Sequence, residues 1–296
     1  MVDNQNVFDL VVKGGTLVSG GLVQSADLAV TAGRVAAIGH NLIGREVVRA
    51  DGLLVIPGGV DPHVHLSMPA GTLTTSEDWR SGTSAAAFGG TTTVIDFVEP
   101  NPGQRLADGL AERKAEAQGQ AVVDYALRMT LSDPSPSVFE QTAELAALGV
   151  ASFKLYTTYA GMALSDDGML AALQAVARCG GLAMVHAEND AILRSALGAL
   201  RAAGRTAPQE YPLSRPAIAE VEAIQRVILL ARFAAVPLYL AHISTERGAA
   251  AVERARRHGQ VVYGETCPQY LLLDEGCYNQ PDPLVSLRYQ CAPPLR

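Results

Sequence analysis

Lysine is almost missing from this chain: Lys13, Lys114 and Lys154 are the only three among 296 residues. No Lys/Arg run or RGG-like tract is present, and the formal net charge is −7. Nucleic-acid binding through a basic face is therefore excluded as an expectation. The four cysteines, Cys179, Cys267, Cys277 and Cys291, show no paired spacing, so a disulfide framework is not expected and a reduced, cytoplasmic protein is. No stretch reaches the roughly 18 consecutive apolar residues of a membrane span. The first residues, MVDNQNVFDL, do not place an apolar run behind a basic segment, and no secretory signal is expected there. Charged residues make up only 18% and hydrophobic residues 48%, so a chain of this length can bury a full core and wholesale disorder is excluded.

Two patterns divide the sequence. Residues 7–56 are short β-like runs separated by glycine turns, among them FDLVVKGG, ADLAV and GRVAAIG. Residues 26–30 and 34–38 read as strands joined at Thr31-Ala32-Gly33, and no helix is expected in this block. After Pro57-Gly58-Gly59 the pattern changes. Apolar runs of strand length at 60–65, 91–97, 122–129, 151–156, 182–187, 237–244 and 260–266 alternate with helical stretches. The helices are expected at 76–88, 104–118, 137–148, 165–178, 190–203, 217–235 and 245–258, and residues 284–296 begin no clear new one. Near-continuously apolar strands alternating with helices imply a parallel sheet covered on both faces. Seven units fit a doubly wound sheet, or a (β/α)8 barrel short of its eighth strand, since a full barrel takes about 250 residues.

The histidines fall into two groups. His40 and His258 sit beside glycines at element ends and read as solvated. The other four close strands: His63 and His65 the first, His186 the fifth, His242 the sixth. In a parallel barrel these ends converge on one mouth. His63 and His65 are two apart and so point to one face. A single histidine at a strand end is more often a hydrogen-bonded core residue than a ligand. Four of six at strand ends are harder to explain by chance, and at one barrel mouth they would be expected to ligate divalent metal. Lys154 lies inside the fourth apolar strand, where an ammonium costs several kcal/mol unless it is paired or loses its proton. Either it reaches water or a carboxylate, or it is a neutral amine that takes up carbon dioxide. The resulting carbamate would supply an anionic ligand able to bridge two cations.

PGGVDPHVHLSMP, AAAFGGTTTVIDF, SFKLYTTY, VHAEN, PLYLAHIST, VYGETCPQYL and CAPPLR occur in that order. With them, the chain from about residue 8 onward resembles the amidohydrolase superfamily, in its D-hydantoinase and dihydropyrimidinase branch. The resemblance implies an α/β fold, a TIM-like (β/α)8 metal-dependent hydrolase barrel. Here the barrel is incomplete, with about seven strands over 57–296, beside a partial β-sandwich over 1–56. It implies two divalent metal ions, usually zinc. His63 and His65 would hold one and His186 and His242 the other, with Lys154 as N6-carboxylysine bridging them. A hydroxide between the ions would attack a ring amide carbonyl. Tyr159, five residues after the lysine, would donate to the developing oxyanion. Ala292, where the family usually has serine, would bind the substrate imide through its backbone.

The implied activity is hydrolysis of cyclic amide bonds in dihydropyrimidines or 5-substituted hydantoins to N-carbamoyl amino acids. The implied partner is a small cyclic ureide or imide, with no nucleic acid and no membrane, and a homotetramer or homodimer for an intact form. Dihydroorotases carry an arginine two residues after their HxH motif. Ser67 stands there in this chain and disfavours a free-carboxylate ring. The loops near 66–73, 97–104 and 156–164 would shape the pocket for the ring substituent, and Ala70, in place of a bulky aromatic, would make it roomier. Other readings are a non-catalytic dihydropyrimidinase-related scaffold or remnant and an allantoinase-like amidohydrolase. A scaffold is disfavoured because all five ligand positions that the chain reaches are filled. The family pattern continues past CAPPLR with a strand whose aspartate binds metal and shuttles the proton, then an asparagine that helps hold the substrate. Asp274 and Asp282 precede CAPPLR and cannot take the aspartate's part. The resemblance therefore implies a C-terminally truncated barrel. For these 296 residues alone we expect poor solubility and activity at least about 100-fold below that of an intact relative.

Overall fold

The computed structural model describes residues 7–70 and 73–296, with the side chain of Ala70 excepted. The expectation for Ala70 thus falls outside the described residues. The chain separates into two compact units, residues up to Val60 with Phe88–Thr93, and Asp61–Ala87 with Val94–Arg296.

The first unit is built of short strands: β1 (Val7–Lys13), β2 (Thr16–Ser19), β3 (Leu22–Ser25), β4 (Asp27–Thr31), β5 (Arg34–Gly39), β6 (Ile43–Arg49) and β7 (Leu54–Val55). They form two sheets, of order β5-β4-β1-β6 and β3-β2-β7. The turn expected at 31–33 is present. Thr31 pairs with Arg34, and Ala32 and Gly33 take φ of 50° and 72°, the left-handed pair of a tight hairpin. Buried Asp27 accepts from the Gly14 and Leu42 amides at 3.0 and 3.2 Å and ties two turns to β4.

The barrel strands are β8 (Gly59–Val64), β11 (Thr91–Val98), β12 (Asp124–Thr130), β13 (Ser152–Tyr156), β14 (Leu182–His186), β15 (Leu238–Leu240) and β16 (Val262–Gly264). Between β8 and β11 lies a two-residue ladder, β9 (Pro69–Ala70) with β10 (Leu73–Thr74). The sheet runs β16-β15-β14-β13-β12-β11-β8 and curls into an incomplete barrel of seven parallel strands. The central strands β13 and β14 are buried after their first residue, whereas the edges β8 and β16 are largely open.

The helices are α1 (Trp79–Phe88), α2 (Leu106–Ala117), α3 (Pro136–Glu140), α4 (Thr142–Ala147), α5 (Asp166–Arg178), α6 (Asp190–Ala202), α7 (Tyr211–Ser214), α8 (Ala217–Phe233), α9 (Glu246–Arg257), α10 (Pro268–Leu272) and α11 (Pro283–Leu287). On α8, Ala219, Ala223, Val227 and Ala231 recur every four residues and are fully buried, so the helix lays one stripe of mostly small side chains on the core. Helices α5, α6 and α9 start on capping side chains: Ser165, Asn189 and Thr245 accept from Gly168, Ile192 and Gly248 amides. These caps fix where the chain leaves β13, β14 and β15, whose ends carry the chemistry.

Three helical expectations shift. The stretch 76–88 becomes helical only at Trp79, because Asp78 and Ser81 form a reciprocal cap: Asp78 Oδ1 accepts from Ser81 N at 2.7 Å, and Ser81 Oγ from Asp78 N at 3.0 Å. The stretch 137–148 is two short helices broken at Gln141, whose side chain accepts from Leu106 N at 2.9 Å and so starts α2. Residues 283–287 make one helical turn capped by Asp282, where no clear helix is legible in the pattern. Among the described residues no helix is long and apolar enough to cross a membrane.

Candidate metal centre

His63, His65, Lys154, Tyr159, His186, His242 and Ala292 all line one cavity of about 560 Å³ at the C-terminal ends of the strands. The parallel strands deliver His63 and His65 from β8 and just beyond it, Lys154 from β13, His186 from the end of β14 and His242 from just past β15. Every site residue read from the sequence is therefore in one place. His40 and His258 are exposed. The His258 Nδ1–H donates to Arg254 O at 2.7 Å.

The imidazoles come as two pairs. His63 Nε2 and His65 Nε2 face each other at 3.2 Å, and His186 Nδ1 and His242 Nε2 at 2.9 Å. In each pair a carboxylate takes the proton of one ring's far nitrogen. His63 Nδ1 donates to Glu265 Oε1 at 2.7 Å, and His186 Nε2 to Glu188 Oε2 at 2.8 Å. This fixes the tautomers so that a lone pair on His63 Nε2 and one on His186 Nδ1 point at the partner ring. The far nitrogens of His65 and His242, both Nδ1, are buried with no hydrogen-bond partner.

Two imidazole nitrogens on one tetrahedral ion, each about 2.0–2.1 Å from it, stand roughly 3.3–3.4 Å apart. The first pair is close to that spacing and the second a few tenths of an ångström short of it. Among the described residues no three His, Cys, Asp or Glu side chains form a ready cation cluster, so the donors come two by two. Each pair leaves coordination positions for further donors, and Lys154 lines the same cavity. The donor set thus fits divalent cations.

Electrostatics agree with neutral ligands. Burial, followed by neighbouring positive charge, pushes His65 down to about 3. Burial lowers His186 to about 4 against the pull of Glu188. His63 and His242 are lowered by burial as well. Lys154 is 1% exposed, and burial, then the Arg128 guanidinium, bring its amine down to about 7. Its Nζ lies 5.3 and 5.2 Å from the ring centres of Phe97 and Tyr156. For Glu188 and Glu265, burial pushes the carboxyls up, but the donors around them outweigh it and hold both below the ordinary value.

Several supporting residues were not legible as such. Arg215 clamps Glu188, with Nε donating to Oε1 at 3.1 Å and Nη2 to Oε2, and the same Nη2 donates to the Tyr159 hydroxyl at 3.1 Å. Glu220 accepts from the amides and hydroxyls of Ser244 and Thr245, holding the turn that follows His242, which has φ of 37°. Asp96 accepts from Leu66 N at 3.1 Å and from Arg113 Nε at 2.7 Å, anchoring the end of the first barrel strand. Glu188 and Glu265 stand within VHAEN and VYGETCPQYL, and a carboxylate at or beyond a strand end was the available signal. Their partners could not be read from the spacing, because Glu265 meets His63 across 202 positions. Ser67 lines a neighbouring cavity with Asp96, Glu99 and Arg113, and has φ of 47°.

A curled parallel sheet of this kind is the barrel of the amidohydrolase class, and the chain belongs to the amidohydrolase family, whose model matches residues 54–260. Among curated relatives it is 39% identical to D-hydantoinases of Geobacillus stearothermophilus and Streptomyces coelicolor, over 97% of this chain and 61% and 63% of theirs. The D-phenylhydantoinase of Escherichia coli is also 39% identical, over 97% of this chain and 62% of its own. The solved D-hydantoinase of Bacillus sp. AR9 superposes with a TM-score of 0.94 at 38% identity, over 97% of this chain and 63% of that one. The chain thus spans a little over three fifths of the length of these relatives.

Proposed function

We propose that the protein is a binuclear metal-dependent cyclic amidohydrolase that opens the ring of a hydantoin or dihydropyrimidine to an N-carbamoyl amino acid. The observation that carries this reading is the pairing of four imidazoles in one cavity that buried Lys154 also lines. The names of the relatives support the substrate class. His63 with His65 would hold one ion and His186 with His242 the other, with carbamylated Lys154 between them, and zinc is the metal proposed. When bound, such a pair polarises a carbonyl and makes water acidic near neutral pH.

The chain's own residues do the rest. Glu265 and Glu188 hold the ligand tautomers. Tyr159, its hydroxyl kept protonated by burial, donates to the oxygen of the attacked carbonyl. Ala292 presents backbone groups to the imide, on a segment held by Tyr211 OH to Cys291 O at 2.8 Å and Tyr270 OH to Pro293 O at 2.6 Å. Met68, Pro69 and Met162 line the same cavity and would face the ring substituent. We propose a cytoplasmic location, a homotetramer or homodimer for an intact form, a partial β-sandwich over 1–56 and an incomplete barrel over 57–296.

The test is turnover of dihydrouracil, hydantoin, 5-phenylhydantoin, allantoin and dihydroorotate by the zinc-loaded protein. Ring opening of the first three with little or none of the last two is expected. Preference for dihydroorotate or allantoin overturns the assignment.

A further inference from the structure

We propose that Arg215 is a positioning residue that sets the Tyr159 hydroxyl for catalysis, an inference that rests on the function proposed above. Arg215 follows the single turn of α7, and its side chain is 15% exposed. Its guanidinium divides its donors between two groups, two hydrogen bonds to Glu188 and one to the Tyr159 oxygen at 3.1 Å. Glu188 is fully buried and bound in turn to His186, so the fork is anchored to the metal side of the cavity. Its backbone is held as well, since Arg296 Nη1 donates to Arg215 O at 3.1 Å.

The consequence for Tyr159 is directional. A phenol has one proton and two acceptor positions. With Arg215 donating into one acceptor position, the proton is turned away from the guanidinium. A cation on the phenol oxygen also makes that proton a stronger donor. Tyr159 has φ of 79°, a conformation a bulky L-residue adopts only when its surroundings hold it. Its ring lies 4.9 Å from that of His186, and the Arg215 guanidinium carbon lies 5.4 Å from its centre. Arg215 thereby couples the proposed oxyanion donor to the second imidazole pair.

A double-mutant cycle on the zinc-loaded protein tests this, with metal content and the crystal structure of each form measured alongside. Arg215→Met is expected to lower kcat about 30-fold, with KM within about threefold and metal content unchanged. In a Tyr159→Phe background the same change should cost less than about threefold, because its effect passes through the hydroxyl. Costs that multiply, or loss of metal with the substitution, overturn the proposal. If Arg215→Met does not fold, Arg215→Lys takes its place in the cycle with the same criteria. The crystal structures decide without turnover: Tyr159 should leave its place in the variant, and an unmoved Tyr159 overturns the proposal. A wild-type protein that binds zinc but opens no cyclic ureide defeats the functional reading instead, and the position of Tyr159 still decides this one.

Discussion

The two imidazole pairs are chemically alike and architecturally opposite. His63 and His65 sit two residues apart at one edge of the sheet, and their carboxylate, Glu265, comes from just beyond β16 at the other edge. One hydrogen bond thus bridges the first and last barrel strands. His186 and His242 come from the neighbouring strands β14 and β15, neither of them an edge, their carboxylate lies two residues after His186, and Arg215 locks that carboxylate in turn. Side-chain exposure follows the same division, 12% for His63 against 3% for His186. A pair on interior strands has sheet neighbours on both sides. A pair at the seam has a strand neighbour on one side only, and on the other the hydrogen bond from His63 to Glu265.

The largest expected effect removes Lys154, the group proposed to bridge the two pairs. Lys154→Met should lower bound zinc to one ion per chain or fewer and turnover by at least about 1,000-fold. It should also stabilise the metal-free protein by about 2 kcal/mol, because a buried amine that must give up its charge costs folding. Metal analysis and urea melts read the two effects. Next comes Glu188→Gln, which leaves the Arg215 charge mostly buried without its partner and should cost about 3–5 kcal/mol of stability. Glu265→Gln, at the seam, should cost less stability but weaken zinc binding about 10–100-fold, on the scale of other groups that orient metal ligands. Equal melting temperatures for the two glutamine variants would erase the architectural contrast. A smaller effect is kinetic: dipicolinate should strip one ion of the pair first, and the His63→Ala protein should show only the slow phase.

Acid sharpens the comparison in another way. An imidazole held neutral by burial gives stability that is fully present above its unfolded value near 6.5. That stability is lost as pH falls toward the folded value, about 4 for His186 and about 3 for His65. Each such group costs about 1.4 kcal/mol per pH unit across that window. Metal-free protein should therefore melt progressively earlier between pH 6.5 and 4, and His186→Asn should flatten the profile. A flat wild-type profile over that range contradicts the assigned burial.

The same contrast explains what the sequence disclosed. The alternation of apolar runs and helices, and four histidines at the ends of three apolar strands, are local patterns, and they located both pairs and Lys154. Glu265 and Arg215 act through contacts that follow only from strand order and loop placement. Gln141 broke an expected helix for a related reason: its side chain is used to start α2, a tertiary contact that helical periodicity does not carry. Glu188 was visible inside VHAEN, but its role needed the position of Arg215.

The most direct measurement of the central claim is zinc stoichiometry after purification with zinc and bicarbonate, for wild type and Lys154→Met, with a carbon-13 carbamate signal recorded on the same samples. Two ions per chain and a carbamate signal in wild type, both lost or halved in the variant, are expected. Zinc content that is zero in wild type, or identical in the two proteins, contradicts a lysine-bridged pair of metal ions.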